Sequence, residues 1–198
     1  MHDFGRMLGR LAHYSFVTDR HFIAESFRPN HIKGKKWLVY EITKFKKDFN
    51  RVAVLGSWNS VLLYELMSDV ASVQEWDFYD IDEFCHNDRD DYFESNQMNM
   101  NYNSFSMDAT QAMGHSSIVN QYDLIINPSC EHMEDIEALP GPMYALTSNN
   151  YTSVPEHINT IEHQKHLAVK NGIDDILYEG ALKLSNYERY CTIGYRRK

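Results

Sequence analysis

Long apolar runs are missing from this chain. No charge-free stretch approaches the ~20 residues that a membrane-spanning helix needs, and the opening "MHDFGRMLGRLAHYSF" lacks the continuous apolar core of a secretory signal. Cysteine is scarce: Cys85, Cys130 and Cys191 are odd in number and widely spaced, which argues against a disulfide framework and against a CxxC metal site. A reducing, cytoplasmic setting is the expectation. Positive charge is in deficit, with 19 Lys and Arg against 28 Asp and Glu and a formal net charge of −9. Neutralising the phosphates of a nucleic acid needs local cationic surface, so the balance disfavours that partner. The one basic concentration, Lys33, Lys35, Lys36, Lys44, Lys46, Lys47 and Arg51, reads as a solvated helix face. Neither an internal repeat nor a low-complexity segment is present.

What is there suits one α/β domain, for which 198 residues supply a sizeable core. Residues 1–50 read as a helical extension, broken near Arg28-Pro29-Asn30. From Arg51 the texture changes to short apolar runs alternating with helical segments. "RVAVL" has the unbroken apolarity of a central strand covered on both faces. A helix over 59–70 follows, with N-cap candidates in Ser57 to Ser60. "EWDFYDID", "YNSFSMD", "YDLIIN" and "MYALTS" read as further strands, and 155–170 as a helix closed by Asn171-Gly172. The tail has two β-like halves, 176–184 and 188–196, with no helix between them, so they must form an antiparallel hairpin. Strand-helix alternation from residue 51 predicts a parallel sheet with helices on both faces.

Such sheets bind ligands at the carboxyl ends of their strands, near the switch in strand order. After the first strand stands a single glycine, Gly56, then Ser57, Trp58 and Asn59. The GxGxxG fingerprint, which brings a pyrophosphate onto backbone amides, is absent; this counts against NAD or FAD and suits a ligand without phosphates. Asp80 and Asp82 close the second strand. A carboxylate at Asp80 can accept from both hydroxyls of a ribose, while Asp82 reads as the start of a charged loop. Asp108, after the third strand, can accept from an adenine amine or cap a helix starting at Ala109.

Spread over residues 51–197, "VLGSWNS", "FYDIDEF", "SMDATQ", "YDLIINPSCEHM" and the terminal hairpin resemble the class I S-adenosylmethionine-dependent methyltransferases. The resemblance implies a Rossmann-like, seven-stranded, mostly parallel sheet with an antiparallel C-terminal strand. It implies S-adenosylmethionine as cofactor, lying over Gly56, Ser57 and Trp58, with Asp80 on the ribose, Asp108 near the adenine and Asn127 close by. Residues 51–198 would be the cofactor-binding domain and 1–50 a helical lid over a small-molecule substrate. One departure stands out: Val54 occupies a position, two before the loop glycine, that such enzymes usually fill with an acid.

The acceptor end is marked by two Glu-His pairs. "NPSCEH" sets Asn127, Cys130, Glu131 and His132 after the fourth strand, and "SNNYTSVPEH" sets Asn149, Asn150, Tyr151, Glu156 and His157 after the fifth. If those strands are neighbours, both segments open onto one rim. General base, substrate hydrogen bonding and a divalent metal site are all open to such residues. The reading adopted puts Glu131 and His132 at the reacting atoms and Asn150, Tyr151 and His157 on the substrate, with no metal. An acidic surface helix over "CEHMEDIEAL" is the plainer account of Glu131. Asn127-Pro128-Ser129 is also faintly similar to the motif of methyltransferases acting on exocyclic amines or amides, which keeps a nucleic-acid or protein acceptor as the alternative. A cofactor-binding protein without methyl transfer is the third option.

Overall fold

The computed structural model describes residues 3–18 and 22–197. Helix α1 (Phe4–Thr18), a 3-10 turn (Phe22–Phe27) and α2 (Pro29–Thr43) precede β1 (Asp48–Leu55). Then come α3 (Val61–Ser68), β2 (Ser72–Asp80), α4 (Glu83–Ser95), β3 (Tyr102–Ser106), α5 (Ala109–Met113), α6 (Ser116–Val119) and β4 (Leu124–Asn127). A 3-10 turn (Cys130–His132), β5 (Met143–Asn149), α7 (Gln164–Lys170), β6 (Asp175–Lys183) and β7 (Glu188–Tyr195) complete the chain. The sheet has seven strands in the order β3-β2-β1-β4-β5-β7-β6. β1 to β5 pair in parallel, while β7 runs antiparallel to both β5 and β6. The terminal hairpin therefore forms as expected, at one side of the sheet.

Alternation along β1 divides the core into its two faces. Val52 and Val54 pack with Leu38, Ile42, Leu62, Phe78 and Tyr92 on the face covered by α1 to α4. Ala53 and Leu55 pack with Ala109, Met113, Leu167 and Ala168 on the face covered by α5 to α7. A strand apolar at every position needs cover on both sides, and it has it. Met7, Tyr14 and Ile23 belong to the first cluster, so the N-terminal helices complete the core as well as walling the site.

Two elements differ from the sequence reading. Helix α7 covers only Gln164–Lys170 of the expected 155–170. Upstream, the Asn159 amide donates to the Glu131 carbonyl at 3.1 Å and the Ile161 amide to the Asn149 carbonyl at 3.0 Å. Those amides serve tertiary bonds, so no helical ladder forms there. The acidic stretch after β2 folds as α4, started by the Asp82 side chain, which accepts from the Phe84 amide at 2.9 Å. Its burial of Cys85, His86, Arg89, Tyr92 and Phe93 is hidden from sequence by the charged residues between them.

Candidate active site

The switch in strand order falls between β1 and β4, and the loop after β1 is built there without the usual glycines. Gly56, Trp58 and Ser60 have φ of 53°, 47° and 50°, so two residues with side chains hold left-handed conformations. Each costs on the order of 1–3 kcal/mol unless the surroundings fix it. They do: the Trp58 amide donates to Asp80 Oδ2 at 2.7 Å and the Ser57 amide to the Tyr79 carbonyl at 2.9 Å. Ser60 Oγ donates to the Ser57 carbonyl at 2.6 Å, and Asn59 Oδ1 accepts from Ser26 Oγ at 2.8 Å and from the Val61 amide at 3.3 Å. Ser60 stands at the N-cap position of α3, within the expected range, but its own side chain makes no cap bond.

Gly56, Trp58, Asp80, Asp108, Glu131, His132, Tyr151 and His157 all line one cavity of about 1270 Å³ at the carboxyl ends of the strands. Trp58 faces this space half-buried, with the His31 ring edge-on at 6.0 Å. Asp80 is held in place from behind, since its Oδ1 accepts from the Asp82 amide at 3.0 Å and its Oδ2 from Trp58. Each carboxylate oxygen has a second lone pair, so both remain able to accept from a ribose. Asp108 caps α5 through the Thr110 amide at 2.9 Å and also borders the cavity.

At the other end, the loops after β4 and β5 meet. Glu131 is buried, and its Oε1 accepts from Asn149 Nδ2 at 2.6 Å and from Arg189 Nη2 at 3.1 Å. The His132 and His157 rings lie 4.5 Å apart, edge to face. Desolvation at the cavity wall holds His132 below the ordinary histidine pKa, outweighing the pull of Glu131. His157 Nδ1 and the Tyr151 carbonyl are 2.5 Å apart, so that nitrogen carries the proton. The acidic surface helix that would have accounted for Glu131 does not form; only the 3-10 turn Cys130–His132 is helical there. Burial pushes the Cys130 thiol well above its usual range, which leaves it a poor nucleophile.

Three expected site residues stand elsewhere. Ser57 is buried, and Asn127 is buried with its side chain turned to the Ser129 amide at 3.1 Å and Met133 Sδ at 2.8 Å. Asn150 is exposed and accepts from the Glu188 amide at 2.9 Å; the strand's alternation turns Asn149 to the cavity in its place. Sequence reasoning missed Lys35, Arg189 and Met133, which also line the cavity. Arg189 reaches it because β7 pairs Arg189 with Asn149 across the antiparallel ladder. α2 crosses it at Gly34, where a side-chain carbon would come within 3.1 Å of Arg189 Cδ. Burial and the neighbouring Arg189 lower Lys35 to about 8.

No protein-family profile matches the chain, and no curated protein matches its sequence. Solved structures do. A S-adenosylmethionine-dependent methyltransferase from Leishmania major superposes with a TM-score of 0.60 at 10% identity, over 93% of this chain and 81% of that one. TrmK of M. capricolum, solved with S-adenosylhomocysteine, gives 0.53 at 14% identity over 81% of this chain and 68% of that one. Sp1610 of Streptococcus pneumoniae, proposed to be a tRNA (m1A22) methyltransferase, gives 0.52 at 10% identity over 82% and 69%. The chain has the class I S-adenosylmethionine-dependent methyltransferase fold.

Proposed function

We propose that the protein is a S-adenosylmethionine-dependent methyltransferase acting on a small molecule. The observation that carries this reading is the single cavity that joins Gly56, Asp80 and Asp108 to Glu131, His132 and His157. Its volume exceeds the 300–1,000 Å³ typical of small-ligand sites, which leaves room for an acceptor beside the cofactor. Gly56 allows a close approach above β1, Trp58 offers a flat apolar wall, and Asp80 supplies acceptors for the ribose. When bound, the cofactor supplies an electrophilic methyl group on a sulfonium. The chain's part is to aim the acceptor in line and keep water away. His132, with its depressed pKa, is neutral near pH 7 and can take a proton from the acceptor. Glu131, anchored through one oxygen, orients the acceptor with the other. Asn149 takes the orienting role expected of Asn150.

A small acceptor is favoured over a nucleic acid by the fate of the basic cluster. Lys44 pairs with Glu41 at 2.7 Å, Lys46 with Asp123 at 2.8 Å and Arg51 with Asp77 at 2.8 Å, so three of the seven cations are already matched by acids of the fold. Calorimetry tests the proposal: S-adenosylmethionine and S-adenosylhomocysteine should bind and NAD should not. NAD binding with no response to either sulfur compound overturns it. Tight, steeply salt-dependent binding of tRNA would replace the small acceptor with a nucleic acid.

A further inference from the structure

The cluster where the loops after β4 and β5 meet is more elaborate than acceptor positioning requires. One carboxylate oxygen of Glu131 and one ring nitrogen each of His132 and His157 lie within 4.8 Å of one another. The far sides of Glu131 and His157 are already committed. Glu131 Oε1 is held by Asn149 and Arg189 and His157 Nδ1 by the Tyr151 carbonyl, while the Glu156 backbone lies beside the His132 ring. Left over are His157 Nε2 and Glu131 Oε2. That oxygen is buried and has no hydrogen-bond partner among the described residues. An unsatisfied buried carboxylate oxygen is costly, so a fold that keeps one has a use for it.

We propose that Glu131 Oε2, His157 Nε2 and a ring nitrogen of His132 are the ligands of one Zn2+ ion. Two imidazoles and one carboxylate form a set that binds Zn2+ while leaving a coordination position open. The backbone carbonyl on the far nitrogen of His157 is the support that metal-binding histidines characteristically have, since it fixes the tautomer and aims the lone pair. Bonds of about 2.0–2.1 Å would bring the ligand atoms to roughly 3.3 Å from one another, a contraction that side-chain rotation supplies. All three residues line the cavity, so the open position faces the acceptor. Arg189 and Lys35 stand beside it, and with only Glu131 to balance the ion, the open position suits an anionic oxygen or thiolate. With the ion bound, coordination there would take over the proton-accepting role of His132 and the orienting role of Glu131, lowering the acceptor's pKa and holding its lone pair at a fixed place. That use of the ion rests on the methyltransferase reading; the binding of the ion does not.

The test is a titration of the full chain, stripped of metal with a chelator, using Zn2+ in a calorimeter and Co2+ followed by visible absorption. One equivalent should bind, with the absorption of a low-coordinate Co2+ site that Zn2+ abolishes. Glu131→Gln, His132→Gln and His157→Gln should each weaken Zn2+ at least about tenfold, the smallest loss associated with even a supporting group. The His163→Ala/His166→Ala variant, which removes the histidine pair at the start of α7, should bind normally. On the unmodified chain, Zn2+ should protect His132 and His157, but not His163 and His166, from diethyl pyrocarbonate. Absence of a Zn2+ equivalent, or protection of the α7 pair instead, overturns the proposal whether or not the variants fold. S-adenosylhomocysteine binding, measured separately, distinguishes the two readings: a chain that takes this ligand and no Zn2+ loses only the metal site.

Discussion

Asp80 shows how one side chain can hold a loop and still face the cavity. Its two oxygens accept from the Trp58 and Asp82 amides, fixing a left-handed tryptophan that glycine would otherwise replace. Asp80→Ala should therefore do two things. Cofactor affinity should fall by about 1–3 kcal/mol, the range for hydrogen bonds to a charged group, and the melting temperature of the ligand-free chain should fall as well. Asp80→Asn keeps one acceptor oxygen and should lie between the two. Calorimetry and thermal melting read both effects, and an Asp80→Ala chain that melts as the parent and binds as tightly would mean the ribose lies elsewhere.

Helix α1 is joined to the rest of the fold through a buried charge. Glu65 on α3 is fully buried, and both its oxygens accept from Arg10 Nη1 at 2.9 Å, while Tyr92 Oη of α4 donates to Oε1 at 3.0 Å. Removing one partner of a buried ion pair strands the other, typically at about 3–5 kcal/mol. Arg10 is partly exposed, so Arg10→Ala should lie at the lower end, about 3 kcal/mol, in urea unfolding. A lid lying loosely on a finished domain would lose nothing measurable. The same contact, together with Met7 and Tyr14 in the core, argues that truncation of α1 exposes the sheet rather than merely opening the site.

For the molecule as a whole, the buried His86 and the half-buried His31 contribute to the response to acid. His86 is buried behind Asp80, with Nε2 donating to the Asp80 carbonyl at 3.3 Å and Nδ1 accepting from Arg89 Nη2 at 2.9 Å. Desolvation, then the Arg89 charge, lowers its pKa; burial does the same for His31. Below about 6.5 the unfolded chain takes up protons that the folded chain refuses, so stability falls as pH drops from there toward the folded values. Above about 6.5 these groups are neutral in both states and their contribution is complete. Melting by circular dichroism at pH 7.5, 6.5 and 5.5 should show the loss only between the last two, smaller in His86→Gln. A melting temperature constant across all three would refute this assignment.

The sequence by itself determined what repeats or stands alone: the apolar run of β1, the hairpin of β6 and β7, and the acids that end β2 and β3. These are legible because a strand's cover, a turn's chemistry and a strand-end carboxylate are set by residues close together in the chain. The acceptor end was half legible. Glu131 and the two histidines follow their strands, but β5 alternation, not composition, gave the place of Asn150 to Asn149. Arg189 and Lys35 arrive from β7 and α2, brought in by antiparallel pairing and by helix packing over Gly34. Helix α4 and the tethered segment before α7 were decided by burial and by backbone amides bonding to distant loops. Whether a polar residue bonds locally or across the fold depends on which partners packing brings within about 3 Å, and only the tertiary structure fixes that.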